Sequence, residues 1–278
     1  MSQLVEIENL HVAFRTDEGL WKDAVRGVSL SLGREKLGIV GESGSGKSLT
    51  GRALLGVLPP YAKVSADRLQ FDGINLQAAS PKLRRSLRGG RMGMILQDPK
   101  FSLNPVMRVG VQIIEAIRIG EPKISHRDAA QRALKALEQV HIRDPERVAR
   151  LYPHELSGGM GQRVMIAMMV VREPALLIAD EPTSALDVTV RMQVLSILDE
   201  LVTRRGMGLI FISHDLKLVS RFCDRVLVMY AGKVVETIAA NRLHEATHPY
   251  TQGLLSCVPT IGGPLDPLPT LQREASWT

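Results

Sequence analysis

The chain reads as an α/β fold with a mostly parallel sheet and helices on both faces, and three observations lead there. A short apolar run, Leu37-Gly38-Ile39-Val40, passes through a glycine-rich loop into a helical stretch from Leu49 to Leu58. Beyond Pro174 the pattern alternates. Ala175 to Ala179 reads as a strand, Val188 to Arg205 as a helix ended by Gly206, and Leu209 to Ile212 as a strand. Leu216 to Phe222 is then helical, and the strand Val226 to Tyr230 turns through Ala231-Gly232 into Lys233 to Glu236. Between Gln97 and Pro174 the pattern is mainly helical. It breaks the alternation and so reads as an inserted helical subdomain.

The remaining elements come in order. Val5 to Phe14 and Val25 to Leu32 alternate as strands do, and Leu69-Gln70-Phe71 leads into an Asp72-Gly73 turn. Pro59-Pro60 is expected to stop the helix after the glycine-rich loop. Met92 to Leu96 is a short apolar run ending at Gln97-Asp98-Pro99. Val109 to Ile119 has apolar residues at helical spacing, and Ser125 with Asp128 caps a helix reaching about Val140. Ser157 to Val171 is a third helix, ended before Pro174. The last thirty or so residues, with five prolines from Pro249 onward, read as a separate tail.

At 278 residues, 45% hydrophobic and 23% charged, the chain can bury a sizeable core. No apolar stretch reaches the length of a membrane-spanning helix, and Met1 to Glu6 lacks the segments of a signal peptide. A cytoplasmic location is expected. Cys223 and Cys257 are the only cysteines, without metal-ligand spacing, and read as small apolar packing residues. The net charge of +6 permits anionic partners. Its densest cluster, Lys82, Arg84, Arg85, Arg88 and Arg91, followed at a distance by Arg143, Arg147 and Arg150, has no interleaved aromatics of the kind a single-strand groove needs. A solvated face is the first reading, a membrane-proximal surface the second, and nucleic acid a distant third.

Gly41-Glu42-Ser43-Gly44-Ser45-Gly46-Lys47-Ser48 fits G-x-x-x-x-G-K-S/T between a strand and a helix, the context this phosphate loop requires. Glycines let successive backbone N–H groups turn toward phosphates, and the helix N-terminus from Ser48 to Leu49 adds positive potential. Lys47 reaches the β- and γ-phosphates, and the Ser48 hydroxyl is placed for Mg²⁺. A merely flexible turn is the competing reading, but about one chain in a hundred of this length would carry the pattern by accident. The chain is expected to bind a nucleoside triphosphate.

Leu176 to Glu181 is an apolar strand ending in two carboxylates. Asp180 suits an Mg²⁺ partner, and Glu181 is placed to polarise the water that attacks the γ-phosphate. As an alternative, paired acids at a strand end could cap the next helix. Leu156-Ser157-Gly158-Gly159-Met160 opens a helix, and Ser157, Gly158 and Gly159 allow backbone amides to approach a phosphate. An ordinary N-cap is the plainer reading.

The Ser157-Gly158-Gly159 segment upstream of Asp180-Glu181 resembles the signature of ATP-binding-cassette (ABC) ATPases. The resemblance implies that this signature caps the ATP held by the phosphate loop of a second cassette. It extends to other landmarks and implies their roles. Gln97 resembles the Q-loop glutamine, which senses Mg²⁺ and the γ-phosphate and communicates with the membrane subunit. Ser184-Ala185-Leu186-Asp187 resembles the D-loop crossing the dimer interface, His214 the switch histidine at the γ-phosphate, and Phe14 the aromatic residue stacked on adenine. A lone histidine after a strand, a glutamine before Asp-Pro and a core Phe14 are the ordinary alternatives, but the landmarks run in order from residue 14 to residue 214. The implied fold is a P-loop NTPase, a RecA-like core with an antiparallel β subdomain. Residues 1–245 would form the nucleotide-binding domain, with its helical subdomain at about 98–172, and 246–278 a C-terminal extension.

Three strings narrow the family: Gln97-Asp98-Pro99 leading to Ser102-Leu103-Asn104-Pro105, Tyr152-Pro153-His154-Glu155, and His248-Pro249-Tyr250-Thr251. They resemble ATPase subunits of bacterial oligopeptide, dipeptide and nickel or metal-chelate importers. The resemblance implies ATP and Mg²⁺ and a non-identical second ATPase subunit. It also implies two membrane-spanning permease subunits, an extracytoplasmic solute-binding protein and a peripheral place on the cytoplasmic face of the inner membrane. Two departures stand out. Gly161 replaces a longer, often basic side chain, and the tail has only Cys257 where many relatives hold an iron–sulfur cluster on several cysteines. No cluster and no nucleic-acid partner are expected. The competing function is a soluble ABC ATPase acting on ribosomes or DNA. Many of those carry two cassettes or a long coiled coil, whereas this chain has one phosphate loop and no sustained heptads. An exporter motor is argued against by the three strings.

Overall fold

The computed structural model describes residues 3–99, 102–184, 186–257 and 277. Along the chain, β1 (Val5–Arg15), β2 (Trp21–Leu32) and β3 (Lys36–Val40) precede α1 (Lys47–Leu55), and β4 (Lys63–Ser65), β5 (Arg68–Phe71) and β6 (Ile74–Asn75) come after it. Next come α2 (Pro81–Leu87), β7 (Met92–Ile95), α3 (Val109–Gly120), α4 (His126–Gln139), α5 (Pro145–Arg150), α6 (Gly158–Val170), β8 (Leu176–Asp180) and α7 (Val188–Arg205). They are succeeded by β9 (Gly208–Ile212), α8 (Leu216–Phe222), β10 (Arg225–Tyr230), β11 (Lys233–Ala239) and α9 (Pro249–Ser256). The chain divides into two compact units, residues 1–80 with 210–278, and residues 81–209.

In the first unit, an antiparallel sheet runs β2-β1-β5-β6, with β4 also paired to β1. The buried face of β1 changes phase along its length: Val5 and Ile7 are buried, then Leu10 and Val12. Register shifts between Ile7 and Leu10, together with Asn9 at φ 51, make that change. A bulge inserts a residue and returns the next apolar side chains to the core. The turn between β5 and β6 has positive φ at both Asp72 (48°) and Gly73 (75°), the geometry that twists with a tight hairpin. Beside this sheet in sequence, β3 pairs in parallel with β10, which pairs antiparallel with β11, and β9 is the other neighbour of β3. Strands β3, β9 and β10 are buried along almost their whole length, which is why they read as continuous apolar runs rather than alternations. Gly38 allows α8 to lie directly on β3, since a Cβ there would fall 2.2 Å from Val219 Cγ1 and 3.2 Å from Cys223 Sγ. Burial pushes the Cys223 thiol up to about 12, leaving it the packing residue the sequence suggests.

In the second unit, β7 and β8 pair in parallel from Met92↔Leu176 to Ile95↔Ala179. The helical core is made by Ile113 and Ile117 of α3, Ala133 and Leu137 of α4, and Val164, Met165 and Ile166 of α6, all buried. Caps set the helix starts. The Ser125 hydroxyl accepts from Asp128 N at 3.1 Å, and Asp144 accepts from Arg147 N at 3.2 Å with Pro145 opening α5. Gly206 ends α7 in the left-handed conformation. Within the basic cluster, Lys82, Arg85 and Arg91 are exposed while Arg84 and Arg88 are half-buried, the pattern of a solvated face.

Three expectations change. The helix after the phosphate loop does not run to Pro59. It ends at Leu55, where Gly56 adopts φ 65, ψ 39 and the Gly56 and Val57 amides bond the last carbonyls. A left-handed glycine completes those bonds three residues before the prolines can act. Short helices α2 and α5 add to the expected elements, and Asp144-Pro145 is a legible start signal for the second. The beginning of the tail is not separate: α9 packs into the first unit with Tyr250 fully buried. Residues 258–276 of the tail lie outside the described residues, as does Ala185.

Candidate functional site

The first unit carries the phosphate loop. It leaves the buried strand β3 at Gly41 and enters α1 at Lys47. Gly41 has φ 149, and a Cβ there would fall 2.1 Å from the Met229 carbonyl oxygen, so no side chain fits. Gly46, the N-cap of α1, has φ 95 and a virtual Cβ 3.0 Å from the Ala24 carbonyl. Gly44, at φ 82, faces open space. The loop is braced from within: Ser45 N donates to Glu42 O at 3.2 Å, and the Lys47 ammonium donates to Gly41 O and Glu42 O at 2.8 Å each. Lys47 is 6% exposed. Ser48 and Leu49 are half-buried, and Ser43 and Gly44 are exposed.

Two features fit a phosphate chain. The Ser45 hydroxyl is buried in the loop without a protein partner, an orphan a bound oxyanion would satisfy. Gly44 also borders a cavity of about 740 Å³ lined by Phe14, Arg15, Trp21, Lys22 and Arg26. Its basic and aromatic wall suits a nucleotide, and Phe14, half-buried, meets Tyr61 edge-on at 6.2 Å. His214, just past β9, is exposed and lies between two anchored neighbours. Asp215 N donates to Ser213 Oγ at 3.0 Å, and Asp215 caps α8 through Leu218 N at 2.9 Å.

The second unit holds the remaining candidates. Gln97 is exposed, two residues past β7. The segment after it is pinned by Gln112, which the motifs in the sequence do not include. Gln112, 6% exposed, donates to the carbonyls of Asn104 at 3.0 Å and Met107 at 2.8 Å, and accepts from Asn104 N at 2.8 Å. A glutamine at a core-facing position of an apolar helix was the available signal. Asp180 ends β8 and is 4% exposed. Glu181, next in line, has φ 48, uncommon for a residue with a side chain. Its carbonyl accepts from Ser184 Oγ at 3.2 Å and Ser184 N at 3.3 Å, which holds the conformation. Strain of this kind collects at functional positions.

Ser157 caps α6, its hydroxyl accepting from Met160 N at 3.3 Å, and is exposed. Gly158 has nothing within 4 Å of a virtual Cβ, while at Gly159 it would meet Val190 Cγ1 at 2.5 Å. Asp187 caps α7 through Val190 N at 3.0 Å, so Asp187 and the Ser157-Gly158-Gly159 segment meet at Val190 within this unit. Gly161 lies against Pro99, with a virtual Cβ 3.4 Å from its ring. The segment leading in is ordered by Glu155 accepting from Tyr152 N at 2.7 Å and by Tyr152 stacked on His154 at 5.7 Å.

A phosphate loop on a mostly parallel sheet, with an acidic strand end and a capped Ser-Gly-Gly helix start, defines a nucleotide-binding cassette. The chain belongs to the ABC transporter family, whose profile matches residues 25–184. Its relatives include the dipeptide transport ATP-binding protein DppD of Escherichia coli, 47% identical over 260 residues, which cover 92% of this chain and 78% of that one. The oligopeptide transport ATP-binding protein OppD of Bacillus subtilis is 46% identical over 264 residues, 94% and 73% of the two chains. A solved dimeric ATP-binding cassette in a post-hydrolysis state bound to ADP and Pi matches with a TM-score of 0.74 and 25% identity, over 85% of this chain and 98% of that one. The chain is thus an ABC ATPase of the peptide-importer family.

Proposed function

We propose that this chain is the ATP-hydrolysing motor of an importer whose cargo is a peptide, with nickel or a metal chelate as the other cargo class of the resembled family. Identity of 46–47% to dipeptide and oligopeptide transport ATP-binding proteins across more than nine-tenths of the chain carries this reading. In it, Phe14 stacks on the adenine, and the loop from Gly41 to Leu49 binds the phosphates. Lys47 supplies a point charge there. Ser48, Asp180 and Gln97 are the residues that would hold Mg²⁺, whose positive charge neutralises phosphate oxygens when bound. A hydroxyl, an amide and one carboxylate are oxygen donors of the kind that ion takes while keeping several waters.

Glu181 orients the attacking water and takes up its proton, while His214 contacts the γ-phosphate. Ser157, Gly158 and Gly159 serve the ATP of a second cassette, and Asp187 lies at the interface between the two. The partners are that cassette, a non-identical one, together with two permease subunits and an extracytoplasmic solute-binding protein. They would hold the chain on the cytoplasmic face of the membrane. Among the described residues no helix is long and apolar enough to cross a membrane, so the permeases would provide the attachment. Nucleic acid has no part in this reading, and no iron–sulfur cluster is assigned to the tail. The test is to purify the chain with its co-expressed permeases and measure ATP hydrolysis with and without peptide-loaded binding protein. Stimulation by loaded binding protein is expected. Co-purification with ribosomes instead of permeases would overturn the reading.

A further inference from the structure

We infer that Tyr250 is a positioning residue for ATP binding, acting from the C-terminal segment on the phosphate loop through the backbone of Glu42. The inference rests on the ATPase reading and extends it to a segment outside the loop. Tyr250 is 0% exposed, and its hydroxyl accepts a hydrogen bond from Glu42 N at 3.0 Å. The Glu42 carbonyl, at the other end of the same residue, accepts from Lys47 Nζ at 2.8 Å and Ser45 N at 3.2 Å. One loop residue is therefore held between the tail and the lysine of the phosphate site.

The tail is itself well anchored. His248 caps α9 by accepting from Tyr250 N at 3.1 Å, and a single carboxylate oxygen of Glu236 accepts from Thr247 N at 2.8 Å and from its hydroxyl at 3.2 Å. The Tyr250 ring packs on Tyr230 with centroids 4.5 Å apart and on Trp277 at 5.9 Å. The turn after Tyr230 touches the loop as well, with Gly232 N donating to Ser45 O at 3.2 Å.

Packing alone does not explain the hydroxyl. A phenylalanine would fill the same aromatic slot, so the oxygen serves the Glu42 amide. A loop whose entry peptide is already fixed loses less freedom when phosphate binds. Linkage makes the effect mutual: nucleotide in the loop tightens the seat of the tail.

The experiment uses the full chain in its assembled complex and compares wild type with Tyr250→Phe. One hydroxyl bond corresponds to a factor of about 2 to 10. The ATP Kd and KM should rise by that factor with kcat within about twofold, and amide exchange across residues 41–48 should quicken. Trp277→Ala, which keeps the hydroxyl but loosens the ring, should shift KM the same way by less. In the wild type, adding ATP should slow exchange in residues 246–257 as well as in the loop. A Tyr250→Phe protein that melts earlier but keeps its KM and loop exchange would reduce Tyr250 to a packing residue and overturn the inference. So would a tail whose exchange ignores ATP. Failure of the underlying ATPase reading looks different: wild-type protein that binds no ATP, or binds it equally well after Lys47→Ala.

Discussion

Gly41 and Gly158 are both glycines of candidate phosphate-binding segments, yet the fold treats them in opposite ways. At Gly41 a methyl group would fall 2.1 Å from a backbone carbonyl, at a φ of 149° that side chains avoid. At Gly158 a methyl group meets nothing within 4 Å, at the exposed start of a helix whose body is buried. The phosphate loop needs its glycine to fold. Within the Ser-Gly-Gly segment Gly159 is needed against Val190, but nothing among the described residues requires a glycine at Gly158. In the proposed function, that open space is where the ATP of a second cassette would approach.

The contrast can be tested, starting from the largest effect. Glu181→Gln keeps the shape of the acidic strand end but loses the carboxylate. Single-turnover hydrolysis in the assembled complex should fall by about 10²- to 10⁴-fold while ATP binding persists. Hydrolysis within tenfold of wild type would remove Glu181 from the chemistry. Gly41→Ala forces strain worth about 1–3 kcal/mol and a backbone overlap besides, so thermal or urea unfolding should show a clear loss of stability. Lys47→Ala removes a buried charge from the loop, and on the proposed function nucleotide affinity should fall by roughly 10- to 100-fold in a protein that still folds. Gly158→Ala, by contrast, should change stability by no more than about 0.5 kcal/mol, yet lower turnover of the assembled pair without weakening ATP binding to this chain's own loop. If Gly158→Ala destabilises the protein as much as Gly41→Ala, the distinction between the two segments collapses. Smallest of all is Cys257→Ser, expected to leave ATPase activity within about twofold, since one thiolate does not make a cluster site. A dithionite-bleachable absorbance that vanishes in this variant would contradict that expectation.

The sequence by itself determined the phosphate loop, the acidic end of β8, the capped start of α6 and both boundaries of α7 and α8. These are local signals, because glycine spacing, an N-cap or an apolar run acts on the residues beside it. Other features depend on partners distant in the chain. Pro59-Pro60 looked like the helix stop, but Gly56 completes the last-turn bonds first. The need for glycine at Gly41 comes from Met229, at Gly38 from Val219, and at Gly159 from Val190. The positive φ of Glu181 is held by Ser184. Most of all, the tail read as separate because its prolines advertise chain breaks, while the burial of Tyr250 depends on Tyr230 and its hydroxyl on Glu42, 208 residues away. Local propensity specifies which element forms. Which backbone amide a buried hydroxyl meets is decided only when distant strands bring both to one place.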